Sequence, residues 1–138
     1  MDKINWKRAL LGGLVAGVII NASEFVTNGI VLASRWDAAM RALGRSMSGT
    51  ALIAFVIMGF LSGITVVLLY ATARPRLGPG TKTAVLAGCV FWIIGYVVPN
   101  FGYCAMGFLP IRLLLIGTMV SLGEIILASV VGAWLYKE

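Results

Sequence analysis

The chain has 138 residues, of which 60% are hydrophobic and only 12% are charged, and its formal net charge is +6. An average soluble domain is about 45–50% apolar and about 25% charged, so this composition excludes an ordinary soluble domain and predicts a single polytopic membrane domain. The cations flank the apolar runs, which favours contact with anionic lipid headgroups and a role in topology over nucleic-acid binding.

The cysteine and histidine content limits the chemistry that the chain can perform. It has no histidine, and Cys89 and Cys104 fall in one predicted helix. At about 1.5 Å per residue they lie about 22 Å apart, whereas a disulfide needs Cα atoms within about 7 Å. A nucleophile–base pair is not visible either. We therefore expect no cofactor, no metal site and no catalytic residue, and an enzyme is not the favoured class.

The first apolar run, residues 9–34, predicts a membrane helix with one acidic residue inside it. About 25 apolar residues are enough to cross a bilayer. A signal peptide would also begin with cations and an apolar segment, but this run continues past Glu24, which favours a membrane helix. A carboxylate near the middle of the run costs about 2.5–3.5 kcal/mol, judged by insertion scales for a central Asp, so Glu24 requires compensating partners.

The segment that follows, residues 36–47, predicts a short amphipathic helix in the plane of the membrane interface. Apolar and charged side chains recur at helical spacing on two different faces. The apolar face contains Trp36, Met40, Leu43 and Met47, and the charged face contains Asp37, Arg41 and Arg45. An ordinary polar loop is the alternative interpretation.

Three further apolar runs predict membrane helices at residues 50–73, 83–106 and 110–136, with a kink at Pro99. The fold class is therefore an all-α up-down bundle of four membrane helices, with both chain ends on one side. That side carries seven cations and the other carries four; the seven are Lys3, Lys7, Arg8, Arg74, Arg76, Lys82 and Lys137, and the four are Arg35, Arg41, Arg45 and Arg112. Because Lys and Arg accumulate on the cytoplasmic side, we expect cytoplasmic termini in a bacterial cytoplasmic membrane.

Small and polar residues form stripes on the predicted helices. Residues three and four apart share a helix face, and small residues at that spacing allow membrane helices to approach closely. The stripes are Gly13, Gly17, Asn21, Glu24 and Asn28 on the first helix, Gly59 and Gly63 on the second, and Gly117, Ser121 and Glu124 on the fourth. With the stripes turned inward, Glu24 and Glu124 face one interior, and Asn100, Tyr96 and Tyr103 lie near that depth.

Four interpretations of the two glutamates remain open. Each is protonated, or the two share one proton, or a cation, metal or cationic substrate lies between them. The fourth interpretation makes each a neutral hydrogen-bonding strut between helices, a contribution of about 1–2 kcal/mol in model membrane peptides.

Three segments together resemble small bacterial four-helix membrane proteins of unassigned function. They are Asn5-Trp6-Lys7 at the start of the first helix, RPRLGPG at residues 74–80, and Pro99-Asn100 in the third helix. The resemblance covers the whole chain and implies no activity. A functional analogy is with small multidrug resistance transporters, which have four helices and a glutamate in the first helix that exchanges protons for cationic substrates. This chain departs from them by its length, its second membrane glutamate and its amphipathic segment.

Two functions follow as hypotheses. The favoured one is a membrane protein whose two glutamates bind a proton or cation, with transport as the purpose. The competing one is an accessory subunit of a larger membrane complex, in which the same glutamates are struts. Because four helices are few for a solute pathway, we also expect a homodimer or a larger complex, with Gly59 and Gly63 as spare contact surface.

Overall fold

The computed structural model describes residues 3–136, and this part of the chain contains five helices and no strand. The helices are α1 (Trp6–Val31), α2 (Ala33–Ala42), α3 (Gly49–Leu77), α4 (Thr81–Ala105) and α5 (Ile111–Leu135). All except α2 are long and apolar enough to cross a membrane. The predicted all-α bundle of four membrane helices is thus confirmed.

The four long helices pack antiparallel along the chain. Helix α1 packs mainly against α3 and α5, and α4 packs against α5 and α3. The α1–α3 contact aligns Gly13 with Ile64 and Gly17 with Phe60. At the end of the bundle that holds both chain termini, the amide of Asn5 donates to the hydroxyl of Tyr136 over 3.1 Å.

Glycines allow these backbones to come together. A Cβ added at Gly63 would collide with the backbone of Gly13 and Gly17, so α1 and α3 touch without side chains between them. On the other side of α1, a Cβ at Gly12 would lie 2.5 Å from the carbonyl oxygen of Gly132 in α5. Close backbone approach through small residues is a common basis of helix association in membranes.

Two predictions about the small residues are wrong. Gly59 and Gly63 are not spare surface for another chain, because α1 already covers both of them; a Cβ at Gly59 would collide with the side chain of Asn21. Gly117 is not a packing residue, since nothing in the described structure lies within 4 Å of a Cβ placed there. The spacing of small residues indicates that a backbone can approach, but not which helix does so. Ser121 does lie in the interior, at 2% exposure.

Several helix boundaries differ from the predicted ones. Helix α2 ends at Ala42 rather than residue 47 because Gly44 adopts φ +68°. The amide of Arg45 then donates to the carbonyl of Met40, and the amide of Gly44 donates to the carbonyl of Arg41. These two hydrogen bonds form a Schellman cap. Helix α3 continues past Pro75 to Leu77. A proline there removes only one hydrogen bond, and the helix stops within its next turn, at Gly78.

Helices α1 and α4 each contain a π-helical turn, at Phe25–Val31 and Ile93–Val97 respectively. In α4 the amide of Val98 bonds the carbonyl of Ile93, and Pro99 follows at once. A proline ring clashes with the carbonyl four residues before it, and a widened turn relieves that clash. The kink predicted at Pro99 therefore takes the form of a π turn. In α1 the π turn ends at Val31, and only Leu32 separates it from α2, which begins at Ala33.

The main core lies in the half of the bundle nearest the chain termini. It is built from small and branched residues of all four long helices: Ala9, Ala16 and Ile20 from α1, Val66, Val67, Tyr70 and Ala71 from α3, Ala84 and Ala87 from α4, and Ile125, Ala128 and Ala133 from α5, with Tyr136 just after it. In the other half, residues 52–58 of α3 are all exposed, so that segment has no neighbour on most of its surface. A smaller cluster there joins Leu32 and Ala39 to Leu113 and thereby seats α2 on the start of α5.

The glycine contacts predict opposite effects for one substitution at two sites. We expect Gly63→Ala to lower the free energy of unfolding by about 1–3 kcal/mol, because the added methyl group overpacks the α1–α3 contact. Gly117→Ala serves as the control and should be neutral or stabilising by about 0.5–1 kcal/mol, as is usual for this change in a helix. Thermal unfolding in mild detergent measures both. Equal effects of the two variants would contradict the packing described.

Candidate functional site

Glu24 of α1 and Glu124 of α5 converge on the hydroxyl of Tyr96 in α4. The hydroxyl oxygen lies 3.5 Å from Glu24 Oε1 and 3.3 Å from Glu124 Oε1. The two carboxyl groups also contact each other. Three helices that are separated in sequence by up to 100 residues therefore meet at one polar cluster, which we call the Glu–Tyr–Glu site and define as Glu24, Tyr96 and Glu124.

Two further side chains from the first part of the chain complete the surroundings of Glu24. The Asn28 amide donates to Glu24 Oε2. The indole nitrogen of Trp36, in α2, donates to Asn28 Oδ1 over 2.9 Å. A continuous hydrogen-bond chain therefore connects the short helix α2 to the carboxyl group of Glu24.

Glu124 is the more deeply buried of the two acids. It is 6% exposed, whereas Glu24 is only partly buried. The side chain of Ser23 also contacts Glu124, so α1 supplies two consecutive residues to the site. Among the described residues, the hydrogen-bond partners of these two carboxyls outside the pair itself are neutral side chains, those of Ser23, Asn28 and Tyr96.

The two π turns lie next to the site and shape it. Tyr96 is inside the π turn of α4. Asn28 is inside the π turn of α1, which begins directly after Glu24. A π turn inserts an extra residue into the helical repeat and re-aims the side chains around it, and such turns are frequent at functional sites. Here the widened turns place a phenol and an amide against the carboxyls.

The arrangement is suited to holding a proton or a small cation. Two carboxyls in contact cannot both remain ionised at low cost in an apolar interior, so one shared proton or one bound cation between them is the chemistry that the pair permits. The oxygen atoms present, from carboxyls, a phenol and an amide, are hard ligands. Residues 3–136 contain no group of three or more His, Cys, Asp or Glu residues that could hold a metal ion.

Three predicted binding residues are not part of the site. The Asn21 amide donates to the carbonyl of Val56 over 3.1 Å and thus faces α3. Asn100 faces α5, as Tyr96 does, but one helical turn farther along α4, and it donates to Thr118 Oγ1 over 2.7 Å. Tyr103 lies nearly two turns beyond Tyr96 and is 45% exposed.

Sequence reasoning also missed residues that do belong to the polar network. Trp36 was expected only on the apolar face of α2, and its indole N–H gave no signal of its target on α1. Ser23 has no spacing relation to the stripes. A second network joins Trp92 to α5, since its indole nitrogen donates to the carbonyl of Thr118 over 2.8 Å and to Ser121 Oγ over 3.1 Å.

Fold and site together define a helical integral membrane protein with a paired-carboxyl cluster between its spanning helices. The chain matches no family model, no curated protein and no solved structure.

The site geometry predicts that Tyr96→Phe destabilises the fold more than Tyr103→Phe does. The first change removes the one hydroxyl that both carboxyls share, so the pair keeps only its other donors; this should cost about 1–3 kcal/mol. The second removes a hydroxyl from a half-exposed phenol on the same helix and should be close to neutral. Thermal unfolding of the purified variants in detergent decides the matter, and equal midpoints would argue against a shared hydroxyl.

Proposed function

We propose that this chain is a small membrane protein in which Glu24 and Glu124 bind and release a proton or cation, and that this binding serves transport. The observation that carries the proposal is the contact of two carboxyl groups, both hydrogen-bonded to Tyr96, inside helices that are apolar enough to cross a membrane. Acidic residues at such depth are rare and commonly mark proton or ion pathways.

The different burial of the two acids supports a direction of access. Glu24 is partly exposed and Glu124 is buried, so a ligand that enters laterally meets Glu24 first. The half of the bundle that contains the site is also the less covered one, because residues 52–58 of α3 are all exposed. By analogy with small multidrug resistance transporters, the ligand would be an organic cation that displaces a proton.

The charge distribution supports an orientation with both termini in the cytoplasm of a bacterial cell. The ends of α1, α3, α4 and α5 that lie together carry most of the cations, as expected for the cytoplasmic face. Because four helices are few for a solute pathway, the working unit would be a homodimer or a larger complex. The exposed segment 52–58 of α3 offers one surface for such a contact, whereas Gly59 and Gly63 do not, since α1 covers them.

Cysteine labelling in cells tests this orientation. In a background with Cys89 and Cys104 replaced by serine, Gly44→Cys should react with an impermeant maleimide added from outside, because residue 44 lies in the loop after α2. Gly80→Cys, in the loop between α3 and α4, should react only after the cells are opened. The reverse pattern would overturn the orientation.

A second candidate function is that of an accessory subunit in which the two glutamates are hydrogen-bonding struts between helices. In the described structure every buried polar side-chain atom already has a hydrogen-bond partner. A cluster whose hydrogen bonds are satisfied within the chain is what an accessory subunit would need to fix its helices.

Glutamine substitutions separate the two candidates, because glutamine keeps the shape and hydrogen bonding of a neutral acid but cannot titrate. Purified chain is reconstituted in vesicles loaded with a pH-sensitive dye, and proton flux is driven by a potassium diffusion potential. If the acids carry the proton, Glu24→Gln and Glu124→Gln each lower the flux at least about tenfold, which corresponds to a barrier that is higher by about 1.4 kcal/mol. Asp37→Asn, on the exposed face of α2, is the charge-matched control and should match the wild type.

The strut function predicts a different pattern. Both glutamine variants would then resemble the wild type in flux and stability, and only Glu24→Leu and Glu124→Leu would destabilise the fold. Infrared spectra recorded across a pH series provide a readout that does not depend on transport. A pH-dependent carboxyl band of the wild type that is changed or lost in both glutamine variants and kept in Asp37→Asn supports the titrating pair. Identical pH-dependent spectra of the wild type and both glutamine variants would contradict it.

A further inference from the structure

One face of the short helix α2 makes both an apolar contact with α5 and a hydrogen bond to α1. Ala39 is 6% exposed and lies in the apolar cluster with Leu32 and Leu113, against which Trp36 also packs. The indole nitrogen of Trp36 donates to Asn28 Oδ1 over 2.9 Å. Because residues three apart share a helix face, the contact of α2 with the cluster and its hydrogen bond to α1 form or break together.

Asn28 connects this face of α2 to the carboxyl group of Glu24. Its amide nitrogen donates to Glu24 Oε2, while its oxygen accepts from Trp36. A hydrogen bond to an ionised group is roughly twice as strong as one between neutral groups, and hydrogen bonds in a chain polarise one another. An ionised Glu24 therefore strengthens the bond to Asn28 and, through it, the bond from Trp36. A proton or cation on Glu24 weakens both.

The charge that this chain of hydrogen bonds senses is that of the carboxyl pair. The titratable groups that contact Glu24 are Glu124 of α5 and Tyr96 of α4, and residues 49–73 of α3 contain no charged residue. The charged side chains of α2 and of the first turn of α5 are all exposed: Arg35, Asp37, Arg41 and Arg112. Asp37 follows Trp36 directly in the sequence, so an experiment has to separate its titration from that of Glu24.

We propose that α2 regulates the Glu–Tyr–Glu site, because the contact of α2 with Leu113 is coupled through Trp36 and Asn28 to the occupancy of Glu24. The inference rests on the proposed function, since it requires that Glu24 binds and releases a proton or cation. Occupancy of Glu24 loosens α2, and a change that displaces α2 alters the affinity of Glu24 by the same factor. Trp36 is then a positioning residue, which acts on the site through Asn28.

The indole N–H resonances of the full chain in detergent test this coupling. Four tryptophans give four such peaks, which single Trp→Phe variants assign. As the pH rises through the titration of the carboxyl band that the glutamine variants lose, the Trp36 proton should move downfield, because its bond to Asn28 becomes stronger. Trp92 is the matched control and should not follow that band. Its indole donates to the carbonyl of Thr118 and the hydroxyl of Ser121, and neither of these bonds a carboxyl in the described structure.

Variants that displace α2 test the coupling in the reverse direction. Trp36→Phe removes the indole donor, and Ala39→Leu overpacks the apolar cluster beneath α2. Both should shift the pH midpoint of the carboxyl band in the same direction by at least about 0.7 pH unit. This is about fivefold in proton affinity, the lower end of typical coupling between two sites. Ala38→Leu is the matched control, because Ala38 is the exposed neighbour of Ala39, and it should leave the midpoint unchanged.

The two kinds of spectra separate a failure of this inference from a failure of the proposed function. If the carboxyl band titrates but the Trp36 peak does not follow it, the coupling is overturned and the proposed function stands. If the band does not titrate, both are overturned. Movement of the Trp36 peak that persists in Glu24→Gln, or disappears in Asp37→Asn, contradicts the coupling. If Trp36→Phe does not fold, the other three variants assign the peak by elimination, and the wild-type titration decides together with Ala39→Leu.

Discussion

The close backbone contact between α1 and α3 is the constraint on which the rest of the structure depends. With Gly13 and Gly17 against Gly63, the helices touch directly, and neither can rotate or slide without a collision. One helical turn of sliding is about 5.4 Å, which is more than the distance that separates Glu24 from the Tyr96 hydroxyl. The glycine contact therefore helps to set the height of α1 at which the carboxyls meet, although no glycine of that contact lies in the site.

The apolar core and the polar cluster lie in different halves of the bundle. The half near the chain termini holds the main core of alanine, valine and isoleucine side chains, and Ser129 ties α5 to α4 there by donating to the carbonyl of Ala84 over 2.7 Å. The other half contains both π turns, the paired carboxyls and the exposed segment 52–58 of α3. The half with the carboxyls therefore has fewer packed neighbours within the chain than the core half.

The sequence could predict what depends on composition and on period, and could not predict what depends on packing. Four apolar runs of membrane length give four spanning helices whatever their partners, and the depth of Glu24 and Glu124 follows from counting residues. Which face of α1 meets which neighbour does not follow, because Gly13, Gly17 and Asn21 point to α3 while Glu24, only three residues after Asn21, points to α4 and α5. The π turns alter the helical period itself, so a face assigned with 3.6 residues per turn loses its register across them.

Trp36 shows how a residue outside the spanning helices becomes part of an intramembrane site. The chain changes direction at Leu32, between α1 and α2, so that α2 packs on Leu113 and the indole N–H of Trp36 reaches Asn28. The Asn28 oxygen accepts from Trp36 and its nitrogen donates to Glu24. The amide group cannot flip without losing both hydrogen bonds. A change in the charge of Glu24 alters the bond to Asn28 and, through the same amide, the seat of α2 on the bundle. By thermodynamic linkage the reverse also holds: a force that lifts α2 from Leu113 acts on the carboxyl that it helps to orient.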